Sequence, residues 1–119
     1  MAGKLEIVAG GDSLVALITC PSEESATALA ERLVADRVVA CVNMVPGITS
    51  VYRWQGEVCR DRECLLVAKT TAARREGVAA AITALHPYDE PELLFLPIDS
   101  GSKTYLHWLV EQASGPKAE

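Results

Sequence analysis

Residues 38–69, VVACVNMVPGITSVYRWQGEVCRDRECLLVAK, decide the fold. Val38 to Val45 is strand-like, Pro46 and Gly47 interrupt it, and Ile48 to Gln55 resumes with the β-branched and aromatic residues that a pleated, half-buried surface favours. The interruption reads as a bend rather than a stop. Gln55–Gly56 has the character of a tight hairpin turn, and the return strand runs from Glu57 through Lys69 with its apolar end at Leu65 to Ala68. The segment is a long two-stranded ribbon.

Such a ribbon is too long for its own chain. At about 3.3 Å per residue, Val38 to Trp54 would stretch about 55 Å, whereas a compact chain of this length is about 35 Å across. The tip therefore overhangs. Alternation puts Ile48, Ser50, Tyr52 and Trp54 on one face, and an isolated ribbon bearing such side chains is marginal in water. A neighbouring subunit is expected to cover it, with Tyr52 and Trp54 at the interface. The alternative is that the Pro46–Gly47 bend folds the ribbon back over its own sheet and leaves a monomer.

Upstream, Leu14 to Thr19 (LVALIT) is a continuous apolar run, which predicts a central strand buried on both faces. Pro21 ends it. Ser22 stands at an N-cap position, Glu23 and Glu24 fill the first turn, and Ala26, Leu29, Ala30, Leu33 and Val34 repeat at helical spacing, predicting a helix over 22–36. Residues 1–13 fit no period and are expected to form a flexible lead-in. Downstream, Thr70 or Thr71 is placed to cap a second helix with Val78, Ala81, Ile82 and Leu85 on its stripe, in which Gly77 costs about 1 kcal/mol relative to Ala. His86 and Pro87 end it. After the loop PYDEPE, Leu93 to Ile98 predicts a fourth strand, and Ser100 to Ser102 lead into a third helix with Leu106, Leu109, Val110 and Ala113 on one face. Residues 114–119 are expected to fray. The order is an α+β, ferredoxin-like βαββαβ sandwich with an extended hairpin and a C-terminal helix, one domain over 14–113.

The bulk properties narrow the function. Half of the 119 residues are apolar, yet no run approaches the roughly 18–20 needed to cross a membrane as a helix, so a soluble protein is expected. A net charge of −5 with six aromatic residues argues against nucleic acid and against anionic membrane surfaces. The opening residues lack the apolar stretch of a signal peptide, which favours a cytoplasmic location. Cys20, Cys41, Cys59 and Cys64 form no C-x-x-C pair, so free thiols are the simplest reading. No nucleophile with a base and no paired carboxylates on ordered elements stand out, so no enzyme is expected.

Together ACVNMVPGITSVYRW, QGEV, Lys69–Thr70, LHPYDEPE and GSKTYLHWL, in this order over residues 14–113, resemble the CutA divalent-cation tolerance family. The resemblance implies a ferredoxin-like protomer in a tight homotrimer whose ribbons pack on adjacent subunits, a link to divalent metals and copper binding, and no settled catalysis. Two departures stand out. The family often reads HPYEVPE, whereas this chain carries Asp89 and Glu90. Some relatives also have a cysteine at the position of Ile18, while here Cys20 lies two residues later.

The candidate site residues follow. His86 and Glu92 flank a short loop, and imidazole plus carboxylate suits Cu(II) or another divalent cation. The competing reading is that His86 bonds the last carbonyls of its helix and Glu92 is a surface acid. Cys59 and Cys64, five apart, point to opposite faces of a regular strand. Cys20 and Cys41 are either ligands or packing, and His107 is a surface residue. Lys69 and Tyr88, near each other in the family pattern, suit an anionic small molecule in a cleft between subunits, as in a PII-like trimeric sensor. The plainer reading is a solvated Lys and a packed Tyr.

Overall fold

In the computed structural model, which describes residues 3–115, the chain runs β1 (Ile7–Ala9), β2 (Ser13–Cys20), α1 (Glu23–Ala35), β3 (Cys41–Trp54), β4 (Glu57–Thr71), α2 (Arg75–Leu85), β5 (Leu94–Pro97), β6 (Ser100–Ser102) and α3 (Lys103–Gln112). Four strands form an antiparallel sheet ordered β3-β4-β2-β5, the ferredoxin-like arrangement, and β1 pairs with β6 in a second, two-stranded sheet. Among the described residues no helix is long and apolar enough to cross a membrane.

Local signals place α1 as expected. Ser22 is its N-cap and accepts from the Ser25 amide at 3.1 Å, with Glu23 and Glu24 in the first turn against the positive end of the helix dipole. Ala26, Leu29, Ala30 and Leu33 are buried, while Val34 stays exposed. The helix ends at Asp36, and Arg37 then adopts a left-handed φ of 60°. A non-glycine residue rarely holds that conformation; here its guanidinium donates to the Glu111 carbonyl and the Ser114 hydroxyl, tying the turn to the chain end.

The core lies between the sheet and the two helices α1 and α2. Ala16, Ile18 and Cys20 of β2 and Cys64, Leu66 and Ala68 of β4 point into it and are buried. Their alternates on the other face, Val15, Leu17, Leu65 and Val67, are only half-buried. The LVALIT run therefore finds cover on one face instead of the expected two, because within one chain α1 and α2 pack on the same side. The uncovered face continues into Leu94 and Leu96 of β5 and Val45 of β3, all exposed.

The ribbon forms as the sequence indicates. Gln55 and Gly56 both have positive φ, 49° and 82°, as a two-residue turn compatible with strand twist requires. Pairing runs from Trp54↔Glu57 to Ile48↔Glu63, then shifts register across Pro46–Gly47 before resuming at Val45↔Leu65. Two steps on β4 face three on β3, which makes this a β-bulge. The ribbon is not folded back: the molecule measures 52 × 37 × 24 Å, and its radius of gyration of 15.7 Å exceeds the about 13.5 Å of a compact chain of this length.

Several expectations change. Ile7–Ala9, in the stretch read as an unstructured lead-in, pairs with Ser100–Ser102; a three-residue strand is too short to show a period. Neither Thr70 nor Thr71 caps α2 with its side chain. A 3-10 turn, Ala72–Arg74, intervenes, and the buried Thr70 hydroxyl donates to the Val38 carbonyl at 2.6 Å. Val110 leaves the buried face of α3, whose Leu106, Leu109 and Ala113 pack with Ala40, Val8 and Ile98. Of the tail expected to fray, residues 116–119 lie outside the described residues, while Ser114 and Gly115 both bond to Arg37.

Gly77 illustrates how packing overrides propensity. A Cβ there would stand 2.7 Å from Val38 Cγ1, so glycine lets α2 lie against the β-branched Val38. Helix propensity alone favours Gly77→Ala by up to about 1 kcal/mol. Overpacking typically costs 1–3 kcal/mol, so the variant is expected to be destabilised by about 1–2 kcal/mol in urea denaturation. Adding Val38→Ala should reduce that penalty.

Candidate functional site

The end of α2, the loop after it and the root of the ribbon meet on the open side of the sheet. His86 closes α2, its amide donating to the Ile82 carbonyl at 2.8 Å. Its ring does not bond the helix carbonyls. Nδ1 accepts the Tyr88 amide at 3.2 Å, which leaves the proton on Nε2, and Nε2 donates to the Thr19 carbonyl at 2.7 Å. His86 thus pins the end of α2 to the end of β2 with both ring nitrogens engaged.

That pin sets the next residues in place. Pro87 turns the chain outward, and the Tyr88 ring leans on His86 with centroids 4.8 Å apart. The Tyr88 hydroxyl donates to Glu63 Oε2 at 2.9 Å. Glu63 belongs to β4, where odd-numbered residues face away from the core, and it is paired with Ile48 at the first rung of the ribbon. Two rungs further, Tyr52 donates its hydroxyl to the Asp61 carboxylate.

Glu63, Tyr88 and Tyr52 border an open cavity of about 670 Å³. Tyr52 and Trp54 of the ribbon and Tyr88 of the loop supply aromatic surface, while Asp89, Glu90 and Glu92 stand at its exposed rim. Glu63 lies at its base, with only 9% of its surface exposed. Tyr52, Trp54, Tyr88 and Glu92, singled out on three separate grounds in the sequence, thus share one cavity. His86 stands behind it, against Tyr88.

Lys69 is not part of this group. It lies six residues beyond Glu63 on β4, about 20 Å along a strand, and its ammonium donates to the Asn43 side chain. One chain therefore does not bring Lys69 and Tyr88 together. The residue that sequence reading missed is Glu63. Its signal was parity: Asp61 and Glu63 alternate with the apolar core positions of β4, on the face that Ser50 and Ile48 share.

The cysteines sort by face. Cys20 and Cys64 are opposed across β2 and β4 on the buried side; burial first, then the Cys64 and Glu63 charges, push the Cys20 thiol up to about 11. Burial likewise raises Cys64. Cys59 lies on the opposite face of β4, and Cys41 contacts the Tyr105 hydroxyl at 3.5 Å. His107 is on the surface, 2.8 Å from Glu111. Among the described residues no three His, Cys, Asp or Glu side chains are grouped to hold a metal ion.

All three tyrosines have raised pKa values in the fold. Donation to Asp61 holds Tyr52 at about 12, contact with Cys41 holds Tyr105 at about 12, and desolvation ahead of the Glu63 bond raises Tyr88 further. Because the folded values exceed the unfolded value near 10, the stability these protons contribute is complete below pH 10 and is lost as pH rises towards 12. Phenolate absorbance in the folded protein is expected to stay flat through pH 10 and to rise only above about 11, moving back to pH 10 in urea. A folded-state step at pH 10 would contradict the Asp61 and Glu63 contacts.

Comparison with known proteins gives a consistent result. The family model described as CutA1 divalent ion tolerance protein matches residues 14–112. The Divalent-cation tolerance protein CutA of Thermus thermophilus is 54% identical over 97 residues, covering 82% of this chain and 94% of that one. Protein CutA, chloroplastic, of Arabidopsis thaliana is 45% identical over 97 residues, 82% of this chain and 53% of its own length. The solved divalent cation tolerance protein (Cut A1) of Thermus thermophilus superposes with a TM-score of 0.83 at 52% identity, covering 84% of this chain and 97% of that one.

Proposed function

This chain belongs to the CutA1 divalent ion tolerance family, and on that premise we propose that it acts without catalysis, as a homotrimer that captures divalent cations, Cu(II) foremost, in the cytoplasm. The observation that carries the reading is the charge of the cavity. Four carboxylates, Glu63, Asp89, Glu90 and Glu92, line it, and among the described residues no Lys or Arg does. A cation is attracted into such a concave, one-signed surface.

Glu92 offers oxygen and His86 offers nitrogen, a donor pair suited to Cu(II). The imidazole is spoken for at both nitrogens, so the ion has to displace the longer bond, the one from the Tyr88 amide to Nδ1, while Nε2 keeps its hold on Thr19. Two protein ligands leave room for water or for a group from a neighbouring copy. Cys20 is held as a thiol well above neutral pH and Cys41 faces Tyr105, so neither is part of this set.

Assembly is supported by the half-open apolar face of the sheet and by the ribbon that extends past it with Tyr52 and Trp54 exposed. Four free cysteines suit a reducing compartment. A sensor that binds an anion through Lys69 and Tyr88 gains no support from a cavity walled by acids.

Calorimetric titration with Cu(II) tests the metal reading. His86→Ala and Glu92→Gln are each expected to weaken binding tenfold or more, about 1.4 kcal/mol per decade. Affinity equal to wild type in both variants would remove these residues from the site.

A further inference from the structure

Two thiols lie opposite each other where the body of the molecule passes into the ribbon. Cys20 is the last residue of β2 and Cys64 is its direct partner on β4, both buried in the core between the sheet and the helices. This rung is tied less firmly than the rest of the ladder. Pro21 follows the end of β2, so no further rung lies beyond the pair. On the other side β4 pairs with β3 through Leu65↔Val45 and Glu63↔Ile48, which leaves Cys64 at the bulge with no β3 residue in register. Cys64 also borders a small cavity of about 190 Å³ with Pro21, Ser22 and Arg62. By parity Arg62 and Cys64 face the helix side of the sheet, away from the surface that further copies are expected to cover.

The spacing of the rung fits a bridge. The Ala72 amide donates to the Asp12 carbonyl at 2.9 Å, directly opposite it and one step before Ser13↔Thr71. Hydrogen-bonded and non-hydrogen-bonded pairs alternate along an antiparallel ladder, so the even-numbered residues of β2, Cys20 among them, fall in the hydrogen-bonded class. Cα atoms in that class are about 5.5 Å apart, inside the roughly 4.4–6.8 Å that a disulfide spans. Side chains approach less closely there than in the alternate class, so a bridge has to tighten the rung. A bridge closed under such strain is readily reduced again. Cys41 is opposed by Lys69 and Cys59 by Tyr52, so neither has a cysteine across from it.

We propose that Cys20 and Cys64 are a reversible redox pair, closed to a cross-strand disulfide by exchange with a low-molecular-weight disulfide and reopened by thiols. The Cys64 thiolate attacks one sulfur of the small disulfide RSSR, forming a mixed disulfide and releasing RS⁻. The Cys20 thiolate then attacks the Cys64 sulfur and displaces the second RS⁻. Each RS⁻ takes up a proton that a cysteine has given up, so the protein loses two electrons and two protons and RSSR becomes two RSH. Burial keeps both cysteines as thiols at neutral pH, so closure is slow there and quickens as pH rises. The bridge fastens the end of β2 to the root of the ribbon and does not depend on the metal reading.

The full chain in its native assembly, in excess EDTA and without oxygen, is equilibrated with glutathione and glutathione disulfide at a series of ratios. It is then quenched with acid, alkylated and mapped by mass spectrometry. As the share of disulfide rises, two of the four thiols are expected to escape alkylation together, in one linked Cys20–Cys64 peptide, and to return on adding dithiothreitol. In Cys20→Ser the exchange is expected to stop at one glutathione on Cys64; if that variant does not fold, the map of the unsubstituted chain decides the question. The proposal is overturned by the absence of a Cys20–Cys64 link at every ratio, or by a link found only among random pairings such as urea produces. A link between chains, a link that dithiothreitol does not open, or an unmodified Cys64 in a folded Cys20→Ser variant overturns it equally. Because EDTA removes copper, this result and Cu(II) binding succeed or fail separately.

Discussion

Strand β2 carries apolar side chains on both faces, and one chain supplies helices for only one of them. Ala16, Ile18 and Cys20 vanish under α1 and α2, while Val15 and Leu17 look out over an open surface shared with Leu65, Val67, Leu94 and Leu96. The hydrophobic effect scales with apolar area removed from water, so part of what the LVALIT run offers, at the half-buried Val15 and Leu17, is left unrealised in the isolated chain. The overhanging ribbon has the same character. Both are accounted for if further copies of the chain supply the missing cover.

The bulge at Pro46–Gly47 connects that surface to the site. By adding one residue to β3, it switches the parity of everything beyond it, so that Ile48, Ser50, Tyr52 and Trp54 share a face with Asn43 and Val45 instead of opposing them. Without it, Tyr52 and Trp54 would turn to the helix side, away from Glu63 and the 86–92 loop. His86 fixes the other wall by holding α2 to β2. A bend in one strand and one imidazole thus bring together residues from three parts of the chain.

Signals that act within a few residues were legible in the sequence. Ser22 and its acids announced α1, Gln55–Gly56 announced the hairpin, and the period of two assigned the faces of the ribbon. The rest depends on partners far along the chain. Thr70 reads as a cap until Val38, 32 residues away, accepts its hydroxyl. Ile7–Ala9 become a strand only because Ser100–Ser102 lie beside them. Glu63 reads as one more charge in CRDREC until Tyr88 and the ribbon enclose it, and Lys69 and Tyr88, read as lining a cleft between subunits, have separate partners within one chain, Asn43 and Glu63.

Sedimentation equilibrium at micromolar concentration tests most directly whether the open sheet face is covered by sister chains. The account predicts a single species of three times the 12.7 kDa chain mass, unchanged on dilution through that range. A stable particle of one chain mass, its Leu94 and Leu96 face left in water, would contradict it.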